Sequence, residues 1–239
     1  MDFLRAAILG IVQGLAEFLP ISSSGHLILV PALFKWPDQG LAFDVGLHLG
    51  TLLALLIYFW KDWWRMVRAG VPDFVRHQFR FRRHSRDSQF LWLIALGSVP
   101  AAISGLLFDD WIEEHLRQPW LVALALGGFT FVMLLADRRA RMSRTVESIG
   151  IRDVVLIGLA QAAALFPGVS RSGATLSMGM FRHLTRDSAA RFAFLLGTPA
   201  FVGAALLKAG DLSSSSGHEL AELVIGFGCS FAVGLAVIH

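Results

Sequence analysis

Gln13-Gly14-Leu15-Ala16-Glu17-Phe18-Leu19-Pro20-Ile21-Ser22-Ser23-Ser24-Gly25-His26 sits in the middle of an otherwise apolar stretch, residues 3–34. Pro20 removes a backbone donor, and the three serines offer side-chain bonds that compete with a helix. Broken backbone at membrane depth is tolerated only where protein or a water-filled cavity satisfies it. The stretch therefore predicts a helix hairpin that enters and leaves on one side. Residues 154–181 behave alike, broken by Pro167-Gly168-Val169-Ser170-Arg171-Ser172-Gly173.

The two stretches are copies. A shift of 148 residues lays Gly10 on Gly158, Gln13 on Gln161, Phe18 on Phe166, Ser22 on Ser170, Ser24 on Ser172 and Gly25 on Gly173. Leu49-Gly50-Thr51 recurs as Leu196-Gly197-Thr198, at a shift of 147. Three crossings lie between the copies, an odd number, so the second is inverted. Such repeats place a polar site near the midplane, where broken helix ends meet. The expected fold is an all-α polytopic membrane protein, one transmembrane domain over residues 1–239. Repeat 1 covers about 1–136 and repeat 2 about 153–239.

The composition agrees. Charged residues are 16% of the chain, against about 25% in a soluble domain, and the mean hydropathy is +0.60. Five stretches read as spans: 41–60, 90–108, 120–136, 192–208 and 223–238. Residues 61–87 hold eight Lys/Arg, 138–152 five and 182–191 three, whereas 109–118 carry Asp109, Asp110, Glu113 and Glu114 against Arg117 alone. The positive-inside rule puts the three basic loops in the cytoplasm and the acidic loop outside. The pI near 9.6 thus reflects membrane orientation rather than nucleic-acid binding. Ser213–Ser216 reads as a flexible external loop. Cys229 is the lone cysteine, so no disulfide closes within the chain. Gln13, Glu17 and Pro20 stand where a signal-peptide cleavage site would fall, which argues against cleavage.

Gly10, Gln13, Gly14 and Glu17 recur at helical spacing and form one small, polar face. An ionisable Glu in an apolar segment marks a functional site by default, although one snorkelling at an interface would look the same. Ser22, Ser23 and Ser24 offer hydroxyls and backbone amides where the next helix starts, an arrangement that suits phosphate. His26 adds a group able to move protons. In the second hairpin Arg171 supplies a fixed charge and a planar fork, suited to phosphate oxygens or to a structural pair with Glu17.

These two segments, through His26 and through Pro167–Thr175, resemble the signatures of the undecaprenyl-diphosphate phosphatases of the bacitracin-resistance type. The resemblance covers essentially the whole chain, including Phe43-Asp44-Val45 and Leu49-Gly50-Thr51. It implies hydrolysis of the C55 isoprenyl diphosphate to the monophosphate, which recycles the carrier for cell-wall synthesis. It also implies a multi-pass protein of the bacterial inner membrane whose site faces the periplasm. The expected catalytic residues are Glu17, Ser23, His26 and Arg171. Ser23 is the preferred nucleophile, with His26 relaying its proton and water or His26 as alternative attackers. Gln13, Ser22, Ser24, Ser170, Ser172 and Thr175 are the expected substrate contacts. A divalent cation, Mg²⁺ or another such as Ca²⁺, is expected on Glu17 and Gln13, although Gln13 is a neutral variant of a family Glu. The resemblance further implies one more crossing after the segment ending at His239. Expected partners are the polyprenyl diphosphate and membrane lipids, with no nucleic acid; a homodimer is left open. A lipid-phosphate flippase on the same repeat is the rival from another class. The phosphatidic-acid-phosphatase type, a second enzymatic rival, shares Ser24–His26 but requires a histidine six residues after a Ser-Arg pair, and here the next histidine after Ser170-Arg171 is the distant His183.

Overall fold

A computed structural model describes residues 2–207 and 217–239. The described residues form ten α-helices: α1 (Phe3–Phe18), α2 (Ser23–Phe34), α3 (Leu41–Tyr58), α4 (Trp60–His77), α5 (Arg86–Leu116), α6 (Pro119–Arg139), α7 (Ile151–Ala163), α8 (Arg171–Phe181), α9 (Arg186–Leu207) and α10 (Gly217–Ile238). Their only β-pairing is one isolated bridge, Arg144 with Leu184. The chain is an all-helical, polytopic membrane protein.

Four helices are long and apolar enough to cross a bilayer, within α5, α6, α9 and α10. The bent pair α3 and α4 supplies a fifth candidate; the eighteen residues of α3 alone reach about 27 Å at 1.5 Å per residue. Both broken stretches are helix pairs. Residues 19–22, with Pro20 among them, separate α1 from α2, and residues 164–170, with Pro167 and Gly168, separate α7 from α8. Each second helix opens on the same device: Ser22 caps Gly25 N at 3.3 Å and Ser170 caps Gly173 N at 3.1 Å. These serines and glycines are repeat partners. Gly168 turns the second hairpin with φ 95°, a region open to glycine at little cost. A Cβ there would also stand 2.5 Å from the Val122 carbonyl of α6.

The packing repeats as well. α1 lies against α10, and α7 against α5; α10 in turn packs on α3, and α5 on α9. Glycines permit both close approaches. A Cβ at Gly10 would collide with the Gly226 carbonyl, and one at its partner Gly158 with the Gly97 carbonyl. The largest buried cluster joins Phe18, Leu55 and Phe59 to Ile94, Ile157 and Phe192, so both halves share one core. On the outside, α6 bares Trp120, Leu124, Phe131 and Leu134, the face expected toward lipid acyl chains.

Three sequence expectations need correction. Residues 61–87 are not a loop: Phe59 bends the chain by 70° and α4 follows. Residues 109–118 are not a loop either, because α5 stays helical to Leu116 and leaves a two-residue connection to α6. Acidic side chains are acceptable helix formers, so charge alone did not end α5. The span at 41–60 stops at Tyr58. Lys208 and Ser213–Ser216 lie outside the described residues.

Candidate active site

Glu17 ends the buried face of α1, and the break after it lets α2 bring Ser23 back beside it. Ser23 Oγ donates to Glu17 Oε2 at 2.8 Å, and Gln13 Nε2, one turn earlier, donates to the same oxygen at 2.7 Å. Arg171, first residue of α8, arrives from the other hairpin. Its Nη2 donates to Glu17 Oε1 at 2.6 Å across 154 residues of chain. Nη1 donates to the Gly197 carbonyl at 3.3 Å, and Cζ stands 3.4 Å above the Phe201 ring. The guanidinium is thus fixed in orientation by a carboxylate, a carbonyl and an aromatic face. Ser172 Oγ reaches back toward the Leu19 carbonyl at 3.5 Å, a second tie between the hairpins.

The repeated Leu-Gly-Thr elements stand behind this centre. Thr51 Oγ1 accepts from Gln13 Nε2 at 3.4 Å, and Gly197 supplies the carbonyl that holds Arg171. A Cβ at Gly197 would come within 3.3 Å of Arg171 Nη1.

A cavity of about 310 Å³ opens over the pair. Glu17, Ser22, Ser23 and Ser24 line it from the first hairpin, and Ser170, Arg171 and Ser172 from the second. The N-termini of α2 and α8 both end there, so two helix dipoles and the first-turn amides that Ser22 and Ser170 do not cap point toward one volume. Such a place stabilises an anion. The remaining wall is largely apolar, including Leu27, Leu49, Leu52 and Ala204.

Three sequence candidates lie off the wall. Gln13 is fully buried behind Glu17. Thr175 spends its hydroxyl on the Arg171 and Ser172 carbonyls. His26 donates from Nδ1 to the Ser22 carbonyl at 2.8 Å, and the hydroxyl of Ser23 turns to Glu17 rather than to this imidazole. Three residues not singled out for the site do line it: Asp44, His48 and Arg117. His48 donates from Nδ1 to the Asp44 carbonyl at 2.7 Å, which leaves Nε2 3.6 Å from Glu17 Oε2. Asp44 accepts from Arg117 at 3.2 Å and from Gln39 at 2.8 Å. Two ionisable residues one turn apart in an apolar span were the available signal.

These residues do not make a cage for a resident divalent cation. Donors cover both oxygens of Glu17, one of them a guanidinium that already balances its charge. The unpartnered Oε1 of Gln13 is sealed below the wall. Among the described residues, no three His, Cys, Asp or Glu converge as a metal site.

Comparison with known proteins places this geometry in a family. The chain is 42% identical over 240 residues to an undecaprenyl-diphosphatase of Idiomarina loihiensis, covering all of this chain and 89% of the relative. It is 43% identical over 239 residues to one of Nocardioides sp., covering all of this chain and 86% of the relative. With one of Moorella thermoacetica it shares 44% over 212 residues, or 89% of this chain and 78% of the relative. The family profile described as Bacitracin resistance protein BacA matches residues 6–239, and the chain belongs to that family.

Proposed function

We propose that the chain hydrolyses undecaprenyl diphosphate to undecaprenyl phosphate and inorganic phosphate. One observation carries this reading: Ser23 and Arg171, from separate broken helices, both bond to Glu17 in the wall of one membrane-embedded cavity. A nucleophile, a base in hydrogen-bond reach and a fixed cation are the parts phosphoryl transfer needs. The names of the relatives favour hydrolysis over lipid transport.

In this mechanism Ser23 Oγ attacks the terminal phosphorus and its proton passes to Glu17 Oε2. The bond from that phosphorus to the bridging oxygen breaks, and undecaprenyl phosphate leaves. Water then attacks the phosphoserine, one of its protons going to Ser23 Oγ as hydrogen phosphate leaves, and Glu17 releases the proton it took to solvent. Arg171 has further N–H groups beyond the two it uses, and these with the α2 and α8 amides hold the developing charge. A cavity of about 310 Å³ takes a headgroup and leaves the isoprenoid tail to the bilayer. A divalent cation brought in with the substrate would screen the diphosphate's charge; the described residues offer it no site of their own.

The cavity is also lined by Asp44 near the start of α3, and by Ile112 and Arg117 at the end of α5. Those are the helix ends on the acidic side of the charge pattern, so we place the mouth toward the periplasm of a bacterial inner membrane. The test is phosphate release from C55 diphosphate by the purified full chain. Release by wild type and its loss in Ser23→Ala support the reading; no release from a folded wild type overturns it. Trapped phosphohistidine would replace Ser23 as the attacker.

A further inference from the structure

We propose that α4 and the turn after it form a docking surface for anionic phospholipid headgroups, separate from the catalytic cavity. Helical spacing divides α4 into three faces. Met66, Gly70 and Phe74 turn toward α5, where Phe74 packs on Trp92. Next to them runs an unpartnered apolar stripe, Trp60, Trp64, Val67, Val71 and Val75, with Trp64 62% and Val75 74% exposed. Beyond that stripe lies a basic one, Lys61, Arg65, Arg68 and Arg76, continued by Arg80, Arg82 and Arg83.

Apart from Arg65, the charge of these arginines is uncompensated. The segment's acids are already engaged: Asp62 with Arg65 and Arg191, Asp87 with Arg65, and Asp73 with Ser85. Among the described residues, Arg68, Arg76, Arg80, Arg82 and Arg83 make no ion pair, and all five are exposed. The 70° bend at Phe59 turns α4 away from the line of α3, so a spanning α3 leaves α4 close to the membrane plane. A helix lying there sinks its apolar stripe into the acyl boundary and sets its arginines among the headgroups. A surface carrying both stripes selects negative headgroups over zwitterionic ones.

The experiment reconstitutes the full chain in bilayers of phosphatidylcholine and phosphatidylglycerol carrying spin-labelled lipid of either kind. Wild type is expected to hold labelled phosphatidylglycerol severalfold more strongly than labelled phosphatidylcholine, a preference that falls at high salt. The variant Arg68→Gln/Arg76→Gln/Arg80→Gln/Arg82→Gln/Arg83→Gln should lose that preference and keep phosphate release. A wild type with no preference, or one insensitive to salt, overturns the proposal without needing the variant to fold. A folded variant that keeps the preference overturns it too. Lipids brominated near the headgroup should quench wild type more than Trp60→Phe/Trp64→Phe; equal quenching would mean that the helix stands off the bilayer.

Discussion

Arg171 touches Glu17, the Gly197 carbonyl and the face of Phe201 at once, and these contacts demand different things of its replacements. Lysine keeps the charge but has neither the planar fork nor the stacking face. Arg171→Lys is therefore expected to lower kcat/KM at least about tenfold, and Arg171→Ala about 10²–10³-fold, as losing a transition-state donor does. Steady-state phosphate release checks both; a lysine variant near wild type would show that charge alone suffices. Glu17→Gln removes the anion under a mostly buried guanidinium. Breaking such a pair costs about 3–5 kcal/mol, so a fall in thermal midpoint should accompany its loss of activity, measured side by side. Glu17, Ser23 and Arg171 were legible in the sequence because each interrupts an apolar run beside a helix break. Arg117 was not, since it meets Asp44 only through folding across 73 residues; Asp44 and His48 carried the signal of charge in an apolar span but no break beside it to mark them. His26 was equally legible as a candidate beside three serines; folding ties its Nδ1 to the Ser22 carbonyl of its own hairpin and sets its ring off the cavity wall.

At the level of helices, what the sequence disclosed was the breaks, and what it concealed was helix inside charged stretches. Counting Lys and Arg in residues 61–87 located a basic segment but ignored the apolar positions recurring within it at helical spacing. Those positions build α4. Its far end is fastened to α5 by Asp73, which accepts from the Ser85 hydroxyl at 2.6 Å and from the Ser85 amide at 2.8 Å. These bonds hold the Asp73 carboxyl below the usual carboxylate range. A lowered value in the folded state means the tie is complete above the ordinary carboxylate range and is lost as pH falls through the folded value. Hydrogen exchange at the start of α5 should accelerate at acid pH in wild type, beyond the intrinsic trend, and show no such step in Asp73→Asn. The repeated glycines make a paired prediction. Alanine at Gly10 or at Gly158 would push a methyl group into a facing carbonyl, and overpacking of this kind typically costs about 1–3 kcal/mol. Similar losses of thermal stability at both positions are expected. A loss at one alone would show that the two interfaces have diverged.

Across the whole molecule, charge and cavity sort to opposite ends. Asp44, Ile112 and Arg117 gather at the mouth of the catalytic cavity. Asp62, Arg65, Arg86, Asp87, Glu147 and Arg191 line a separate hollow where α4, α5 and α9 meet the basic connections. On the proposed orientation, the lipid diphosphate is presented from the leaflet at the acidic end and the arginines of α4 face the opposite one. This arrangement is testable without substrate. In a Cys229→Ser background, His115→Cys, near the end of α5, should react with a membrane-impermeant maleimide on intact cells. Arg82→Cys and Arg141→Cys, both exposed at the basic end, should react only after the membrane is opened. Ser24→Cys, in the cavity wall, should label from the same side as His115→Cys. Its labelling should slow when a non-hydrolysable diphosphate lipid is added, because the headgroup occupies the volume the reagent must enter. Labelling of Ser24→Cys from the side of Arg82→Cys would open the cavity to the basic side and require the substrate to come from the opposite leaflet.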